Sequence, residues 1–263
     1  MFRLFNAFSR REPVREYRLP PGLRVYAVGD VHGRADLLRQ LHATLVRDAA
    51  DIPEAPVAAI YLGDYLDRGP QVRETLDELA HGLPDRFRTA YLRGNHEYLF
   101  LEFLKNPIVL EGWLAIGAAA TLLSYGVQPP GSGFSAEQAA TVRDDMIVAM
   151  PEEHLRFLRL LKPSLRIGDY LFAHAGVRPG VDPELQKEAD LLWVRREFMD
   201  SKQDHGVRVV HGHTILDHPE VRPNRISLDT GAYATGVLTC AVLEEDRVRF
   251  LDTGGEGRLK DEG

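Results

Sequence analysis

Hydrophobic and polar positions follow two regimes along this chain. Early on, short runs of β-branched and apolar residues end repeatedly in polar, glycine-containing loops. Leu23 to Val28 runs into Gly29-Asp30, Val57 to Leu62 into Gly63-Asp64, and Phe87 to Leu92 into Arg93-Gly94. Runs of this length bounded by turn residues predict buried strands. Between them, apolar residues at helical spacing predict helices from about Ala35 to Ala49 and Gln71 to Ala80. Strand, polar loop and helix in repetition predict an α/β sheet whose ligands gather beyond the strand ends. Polar motifs in those loops should therefore converge in space.

From Glu97 to Lys162 the periodicity turns helical, interrupted by a Pro-Pro-Gly-Ser-Gly break at Pro129 to Gly133. This predicts a helical insertion over about residues 100–162. Within it, Pro151-Glu152-Glu153 marks a helix start, with proline in the first turn and acids at the positive end of the dipole. Short strands return after Leu165, with SLRI and YLFAHAG separated by Gly168-Asp169, a natural hairpin turn. Further strands are expected at Val207 to Val210, Arg225 to Leu228, Val237 to Val242 and Val248 to Leu251, and one helix near Glu184 to Phe198. The expected organisation is an N-terminal extension over 1–20, a single domain over 21–253 and a flexible tail over 254–263, where Gly254, Gly255 and Gly257 sit among charges.

Composition narrows the class. A hydrophobic share of 44% beside 27% charged residues is that of a globular enzyme with ample apolar surface to bury. The formal charge of −7 offers no basic face to a nucleic-acid backbone, so polymeric DNA or RNA is not an expected partner. Cys240 is the single cysteine and lies in VLTCAVL, where it reads as a buried apolar thiol rather than a nucleophile. Without a second cysteine there is no internal disulfide, in keeping with a reducing cytoplasm.

No apolar stretch approaches the length of about 20 residues that spans a bilayer. The start, MFRLFNAFSRR, lacks a secretory hydrophobic core. The protein is expected to be cytoplasmic, with no membrane span. Phe2, Phe5 and Phe8 beside Arg3, Arg10 and Arg11 could form a basic amphipathic helix on a membrane surface, but a frayed or body-packed tail is the preferred reading.

Five polar segments carry the candidate chemistry: Gly29-Asp30-Val31-His32-Gly33, Gly63-Asp64-Tyr65-Leu66-Asp67-Arg68-Gly69, Arg93-Gly94-Asn95-His96-Glu97, His174-Ala175-Gly176 and His211-Gly212-His213-Thr214. Each follows an expected strand. Taken singly they have plain explanations, since Asp after Gly commonly caps a helix and a lone Asp-x-His is commonly solvated. Capping does not explain why successive strand ends carry Asp-x-His, Asp and Asn-His, all able to bind metal or carry a proton. Mixed oxygen and imidazole donors suit divalent manganese, iron or zinc.

In this order the segments GDVHGR, GDYLDRG, RGNHE, HAG and GHT resemble the calcineurin-like metallophosphoesterases, most closely their phosphoprotein phosphatase branch. That branch includes bacterial serine/threonine phosphatases and symmetrical diadenosine tetraphosphatases. The motifs span residues 29–214. The resemblance implies a four-layer α-β-β-α sandwich with two mixed sheets, and an enzyme that hydrolyses phosphate esters by direct attack of a water activated between two divalent ions. It implies Asp30 and His32 as ligands of the first ion, Asp64 as the bridge, and Asn95, His174 and His213 as ligands of the second. Manganese is the expected metal, with iron, zinc, nickel or magnesium as alternatives.

The resemblance further makes His96 the proton donor to the leaving oxygen and Asp67 the group that orients it. Arg68 and Arg93 would bind phosphoryl oxygens through their guanidinium forks. Arg195 in LLWVRREF looks like a third such arginine, with Arg196 and Arg178 as competing positions. The wider superfamily ends its last motif in GHxH, whereas Ile215 stands here after Thr214. His211 would face the same side as His213 on a strand, but a supporting or packing role is preferred for it.

Outside the motifs, His42, His81, His154, His205 and His218 read as solvated, and Trp113 and Trp193 as core residues of helices. Tyr233 falls in a loop that could reach the site. The leading function is a serine/threonine protein phosphatase acting on phosphomonoesters of proteins, peptides or small molecules. The alternative is a bis(5'-nucleosyl)-tetraphosphatase, with the helical insertion forming a wall against the nucleotide. A non-catalytic phosphate-binding scaffold is a third reading, which the complete ligand set and acid pair disfavour. Oligomeric state, native metal and physiological substrate stay open.

Overall fold

The computed structural model describes residues 16–255. The stretch from Phe2 to Arg11 and residues 256–263 of the expected tail lie outside the described residues. Of the expected extension, Tyr17 and Leu19 are buried. The Leu19 amide donates to the Glu245 carbonyl, and the Arg18 carbonyl accepts from the Asp169 amide.

Two mixed five-stranded sheets form the centre. β1 (Arg24–Val28), β2 (Val57–Tyr61) and β3 (Phe87–Tyr91) begin the first sheet. β4 (Ser164–Ile167), β5 (Tyr170–Ala173), β6 (Arg208–His211), β7 (Glu220–Arg222) and β8 (Arg225–Ser227) build the second. β9 (Thr239–Glu244) and β10 (Arg247–Asp252) then return to the first. The strand orders are β10-β9-β1-β2-β3 and β4-β5-β6-β8-β7. β1, β2 and β3 pair in parallel, as do β5, β6 and β8, while β9, β10, β4 and β7 pair antiparallel.

Residue alternation explains the layering. Along β1, Val25 and Ala27 join Ala58, Ile60, Tyr170, Phe172, Val210 and Ile226 in a core between the two sheets. Tyr26 and Val28 point the other way, into a core shared with α1 (Ala35–Asp48) and α2 (Val72–His81). That same core takes in α3 (Asn95–Lys105), α4 (Leu110–Leu114), α5 (Ala119–Ser124), α6 (Ala136–Ala149) and α7 (Glu152–Arg159). On the far face, Leu171, Ala173 and Val209 pack under α8 (Glu188–Trp193) and α9 (Arg196–Met199). The expected sandwich of helices, two sheets and helices is the architecture observed.

Two local expectations are corrected. The span 184–198 is not one helix but a 3-10 turn at Pro183–Leu185 followed by α8 and α9. The backbone leaves the helical region at Val194 (ψ 139°) and Arg195 (φ −133°, ψ −101°), so Val194 and Phe198 both reach the apolar core while Arg195 turns to solvent. Strand β7 and the single turn α10 (Ala232–Thr235) were not anticipated, because three or four residues carry too little periodicity to read.

Close approach of the sheets sets the geometry beyond their ends. A Cβ on Gly29, immediately after β1, would lie 2.7 Å from the Leu228 carbonyl oxygen, just past β8. Gly29→Ala should therefore cost about 1–3 kcal/mol of stability by overpacking backbone on backbone. Urea unfolding measures this, and a loss under about 0.5 kcal/mol would mean that the junction is loose.

Candidate functional site

The candidate side chains lie just past the C-terminal ends of the parallel strands, where α/β folds gather ligands. Asp30 and His32 follow β1, Asp64, Asp67 and Arg68 follow β2, and Asn95 and His96 open α3 after β3. His174 follows β5 and His213 follows β6. Asp30, His32, Asp64, Asp67, Asn95, His96, His174 and His213 are all buried, none more than 6% exposed. His32, Asp64, Asp67, Arg68 and His213 have positive φ, between 45° and 67°, and Glu245 is the one other non-glycine residue in that region among the described residues. Left-handed backbone at that density is characteristic of functional sites held in place by their surroundings.

Asp64 is the hub. His174 Nε2 stands 3.4 Å from its Oδ1, and His32 Nε2 and His96 Nε2 stand 3.5 and 3.6 Å from its Oδ2. Burial alone would raise its pKa, but His174, His96 and His32 around it hold the carboxylate well below its ordinary 3.8. Two groups, His32-Asp64-His96 and Asp64-His174-His213, bring ligand atoms close enough to hold a metal ion, with Asp64 common to both. His174 Nε2 also stands 2.9 Å from Asn95 Oδ1 and 3.2 Å from His213 Nδ1.

The donor set fits divalent cations on independent grounds. His32 Nδ1 donates to the Leu66 carbonyl at 2.8 Å, and His174 Nδ1 to the Leu62 carbonyl at 2.9 Å. Each bond fixes the tautomer that leaves Nε2 as a lone pair for a metal. His32 Nε2, His213 Nε2 and Asp30 Oδ1 are buried with no hydrogen-bond partner, an arrangement costly in a core unless a cation satisfies it. Glycines keep the space open, since a Cβ on Gly94 would fall 2.0 Å from Asp64 Oδ1 and one on Gly212 1.9 Å from Asp30 Oδ1.

Beside this cluster sits a polarised dyad. His96 Nδ1 donates to Asp67 Oδ2 at 2.6 Å, and Trp113 Nε1 donates to the same oxygen at 2.8 Å. Thr121 Oγ1 donates to Asp67 Oδ1 and accepts the Asp67 amide at 2.9 Å. Burial lowers the His96 pKa, but Asp64 and Asp67 overcome it and raise it above 6.5. Arg68 Nη2 lies 3.3 Å from His96 Nε2, and its guanidinium sits 4.9 Å above the Tyr233 ring.

The other arginines differ in setting. Arg93 pairs with Glu188 at 2.7 Å and reaches the Leu161 carbonyl, while its Nε is buried without a partner. Arg178 is engaged by Asp190 and Glu197, and Arg196 by Asp200. Arg195 is exposed yet near enough to His213 to contribute to its lowered pKa. His211 bonds Ser227 Oγ at 2.8 Å and the Gly212 carbonyl at 3.0 Å, a packing role.

Several expectations outside the motifs are overturned. His42, His154 and His205 are buried rather than solvated, whereas His81 and His218 are exposed. His42 bridges Tyr61 and Glu78, and His154 bridges Tyr125 and Asp77. Their partners come from other elements, which a reading of adjacent residues does not find. Trp193 is 39% exposed and edge-on to His213, outside the core. Trp113 is in the core as expected, but its indole nitrogen serves Asp67.

Glu97, fully buried, is a motif residue to which the sequence alone assigns no role. Its carboxylate accepts the amides of Asp64, Tyr65, Leu66 and Gly94 at 2.8 to 3.1 Å and so clamps the loop after β2. Burial and the nearby Asp64 push its pKa up to about 7.

Comparison with known proteins follows the same lines. A family model described as calcineurin-like phosphoesterase matches residues 23–235. An asymmetrical bis(5'-nucleosyl)-tetraphosphatase PrpE from Geobacillus sp. (strain WCH70) is 27% identical over 241 residues, covering 82% of this chain and 89% of that protein. Serine/threonine-protein phosphatase 2 of Escherichia coli (strain K12) is 27% identical over 228 residues, covering 82% and 90%. The crystal structure of a putative diadenosine tetraphosphatase matches with a TM-score of 0.59 at 19% identity, over 92% of this chain and all of that one. A cold-active protein tyrosine phosphatase matches with 0.52 at 18% identity, over 89% and 78%. At such identities the two structures speak for the fold.

Burial lowers the pKa of His32 to about 3 and that of His213 to about 2, below the ordinary 6.5. In metal-free protein both should stay neutral from pH 8 to 5 in histidine NMR titrations, while His96 titrates above 6.5. The unfolded chain protonates its histidines near 6.5, so what these two residues contribute to stability is lost as pH falls below that value. Titration of either between pH 6 and 7 would contradict the burial described.

Proposed function

Because the chain belongs to the calcineurin-like phosphoesterase family, we propose that it removes phosphate from alcohol esters, in the first place phosphoserine and phosphothreonine in proteins. It is a phosphoric ester hydrolase; the proposal concerns the substrate and the residues. Asp30, His32 and Asp64 would hold one divalent cation, and Asp64, Asn95, His174 and His213 the other, with manganese suited to this mixture of oxygen and imidazole. Bound there, such ions would supply Lewis acidity, neutralising phosphoryl charge and making a water more acidic.

The observation that carries the substrate reading is the His96–Asp67 dyad. A serine or threonine alkoxide is a poor leaving group and needs a proton as the ester bond breaks, whereas a nucleotide phosphate leaves readily without one. Asp67 receives hydrogen bonds from His96, Trp113 and Thr121, which fix its side chain and keep the His96 Nδ1 proton pointed at it. His96 is thereby oriented to present its Nε2 proton to a leaving oxygen. Arg68 and Arg93 would grip phosphoryl oxygens from two sides, with the exposed Arg195 completing the set.

A second reading rests on a different observation. Tyr233 lies edge-on to His32 at 5.5 Å and beneath Arg68, and Trp193 is exposed beside His213. These rings could stack a nucleobase, which suits a dinucleoside polyphosphate such as the PrpE relative's name describes. Manganese-loaded protein assayed on a phosphothreonine peptide and on diadenosine tetraphosphate should give the higher kcat/KM on the peptide. The reverse order would favour the second reading.

His96→Asn provides a sharper test of the dyad. Turnover of an alkyl phosphate should fall by about 10²- to 10⁴-fold, and that of an aryl phosphate with a good leaving group far less. Equal losses on both would remove the proton-donor role.

A further inference from the structure

Asp67 and Arg68 are consecutive residues with different tasks, and both have left-handed backbone, with φ of 67° and 66°. Residues other than glycine keep that conformation only where their surroundings impose it. Glu97 holds the loop after β2 as far as Leu66, through the amides of Asp64, Tyr65 and Leu66. The next two amides turn to the helical insertion. That of Asp67 donates to Thr121 Oγ1 at 2.9 Å, and that of Arg68 to the Gly117 carbonyl at 3.2 Å.

The same span, Trp113 to Thr121, also takes their side chains. Trp113 Nε1 donates to Asp67 Oδ2 at 2.8 Å, and the Thr121 hydroxyl that accepts the Asp67 amide donates to Asp67 Oδ1. Arg68 Nε donates to the Ile116 carbonyl at 3.4 Å. Gly117 joins α4 to α5 at a φ of +116°, and a Cβ there would lie 2.9 Å from Arg68 Cγ. Trp113 and Thr121 are fully buried. One short segment thus grips the backbone and the side chain of both residues. Arg68 Nη2 is thereby brought to 3.3 Å from His96 Nε2, on the ring whose Nδ1 is held by Asp67.

We propose that Trp113, Ile116, Gly117 and Thr121 form a positioning unit that sets the proton donor and the phosphate grip in register with each other. Its ends, Trp113 and Thr121, act on His96 through Asp67. Its middle, Ile116 and Gly117, acts on the phosphoryl group through Arg68. The inference rests on the roles proposed above for His96 and Arg68, and it gives the helical insertion a part in the chemistry beyond covering the first sheet.

Kinetics of manganese-loaded variants separate the two arms. Trp113→Phe and Thr121→Val should lose about 10- to 100-fold in kcat on an alkyl phosphate, a part of the general-acid contribution, and far less on an aryl phosphate. Thr121→Ser keeps a hydroxyl able to make both bonds to Asp67 and should recover most of the alkyl rate. Gly117→Ala should instead raise KM about tenfold on both substrates with the ratio of their kcat values kept, as for the loss of one hydrogen bond to a charged group.

Proton NMR of the metal-free protein reads the same geometry without turnover. The His96 Nδ1 proton, identified by its absence in His96→Asn, should shift in Trp113→Phe and Thr121→Val and stay near its wild-type position in Thr121→Ser. Residues that merely fill the core would behave otherwise, with equal losses on alkyl and aryl phosphates and Thr121→Ser no better than Thr121→Val. That pattern, or a resonance unmoved in both Trp113→Phe and Thr121→Val, overturns the inference. Should His96→Asn itself lose equally on both substrates, the proton-donor role falls, and the resonance alone decides whether Trp113 and Thr121 position the pair.

Discussion

A carboxylate buried among imidazoles is the constraint on which the site turns. Asp64 is 2% exposed and stands within 3.6 Å of His32, His96 and His174. Taking that charge out of water costs several kcal/mol, repaid only by opposite charge and well-aimed hydrogen bonds. The surroundings are arranged accordingly. The Asp64 amide is held by Glu97, the His96 amide donates to Asp64 Oδ1, and the Asp64 carbonyl accepts the amides of Val31 and His32. The loops after β1, β2 and β3 are thereby locked to a single residue, which accounts for the unusual left-handed backbone at His32, Asp64, Asp67 and Arg68.

The fold's contribution is to aim strand ends from two sheets at one point. Parallel pairing of β1–β2–β3 and of β5–β6–β8 sends their C-terminal ends in a common direction within each sheet. The apolar layer between the sheets, with Val25, Ile60, Phe172 and Ile226, sets their separation. His213 then reaches Asp30 across the junction, its amide donating to the carboxylate at 3.0 Å. The helices over the first sheet do more than cover it, because Trp113 in α4 and Thr121 in α5 supply the donors that fix Asp67. The geometry proposed for proton donation is thus built partly by residues distant in sequence from the motifs.

What was legible in the sequence was local. Gly-Asp after an apolar run marks a strand end and a loop by composition alone, and β1, β2 and β3 fall within a residue of that expectation. The motifs identified the cluster because each is contiguous. Features that depend on long-range contact were not legible: the buried partners of His42 and His154, and the four amides gathered by Glu97. The break at Val194-Arg195 was hidden for another reason, since α8 and α9 share enough helical spacing to read as one element.

The central claim is that the residues around Asp64 form a site for two divalent cations sharing that carboxylate. Anomalous diffraction from crystals grown with manganese tests it directly. The account predicts two peaks flanking Asp64, one toward Asp30 and His32 and the other toward Asn95, His174 and His213. A single peak, or peaks away from Asp64, would contradict it.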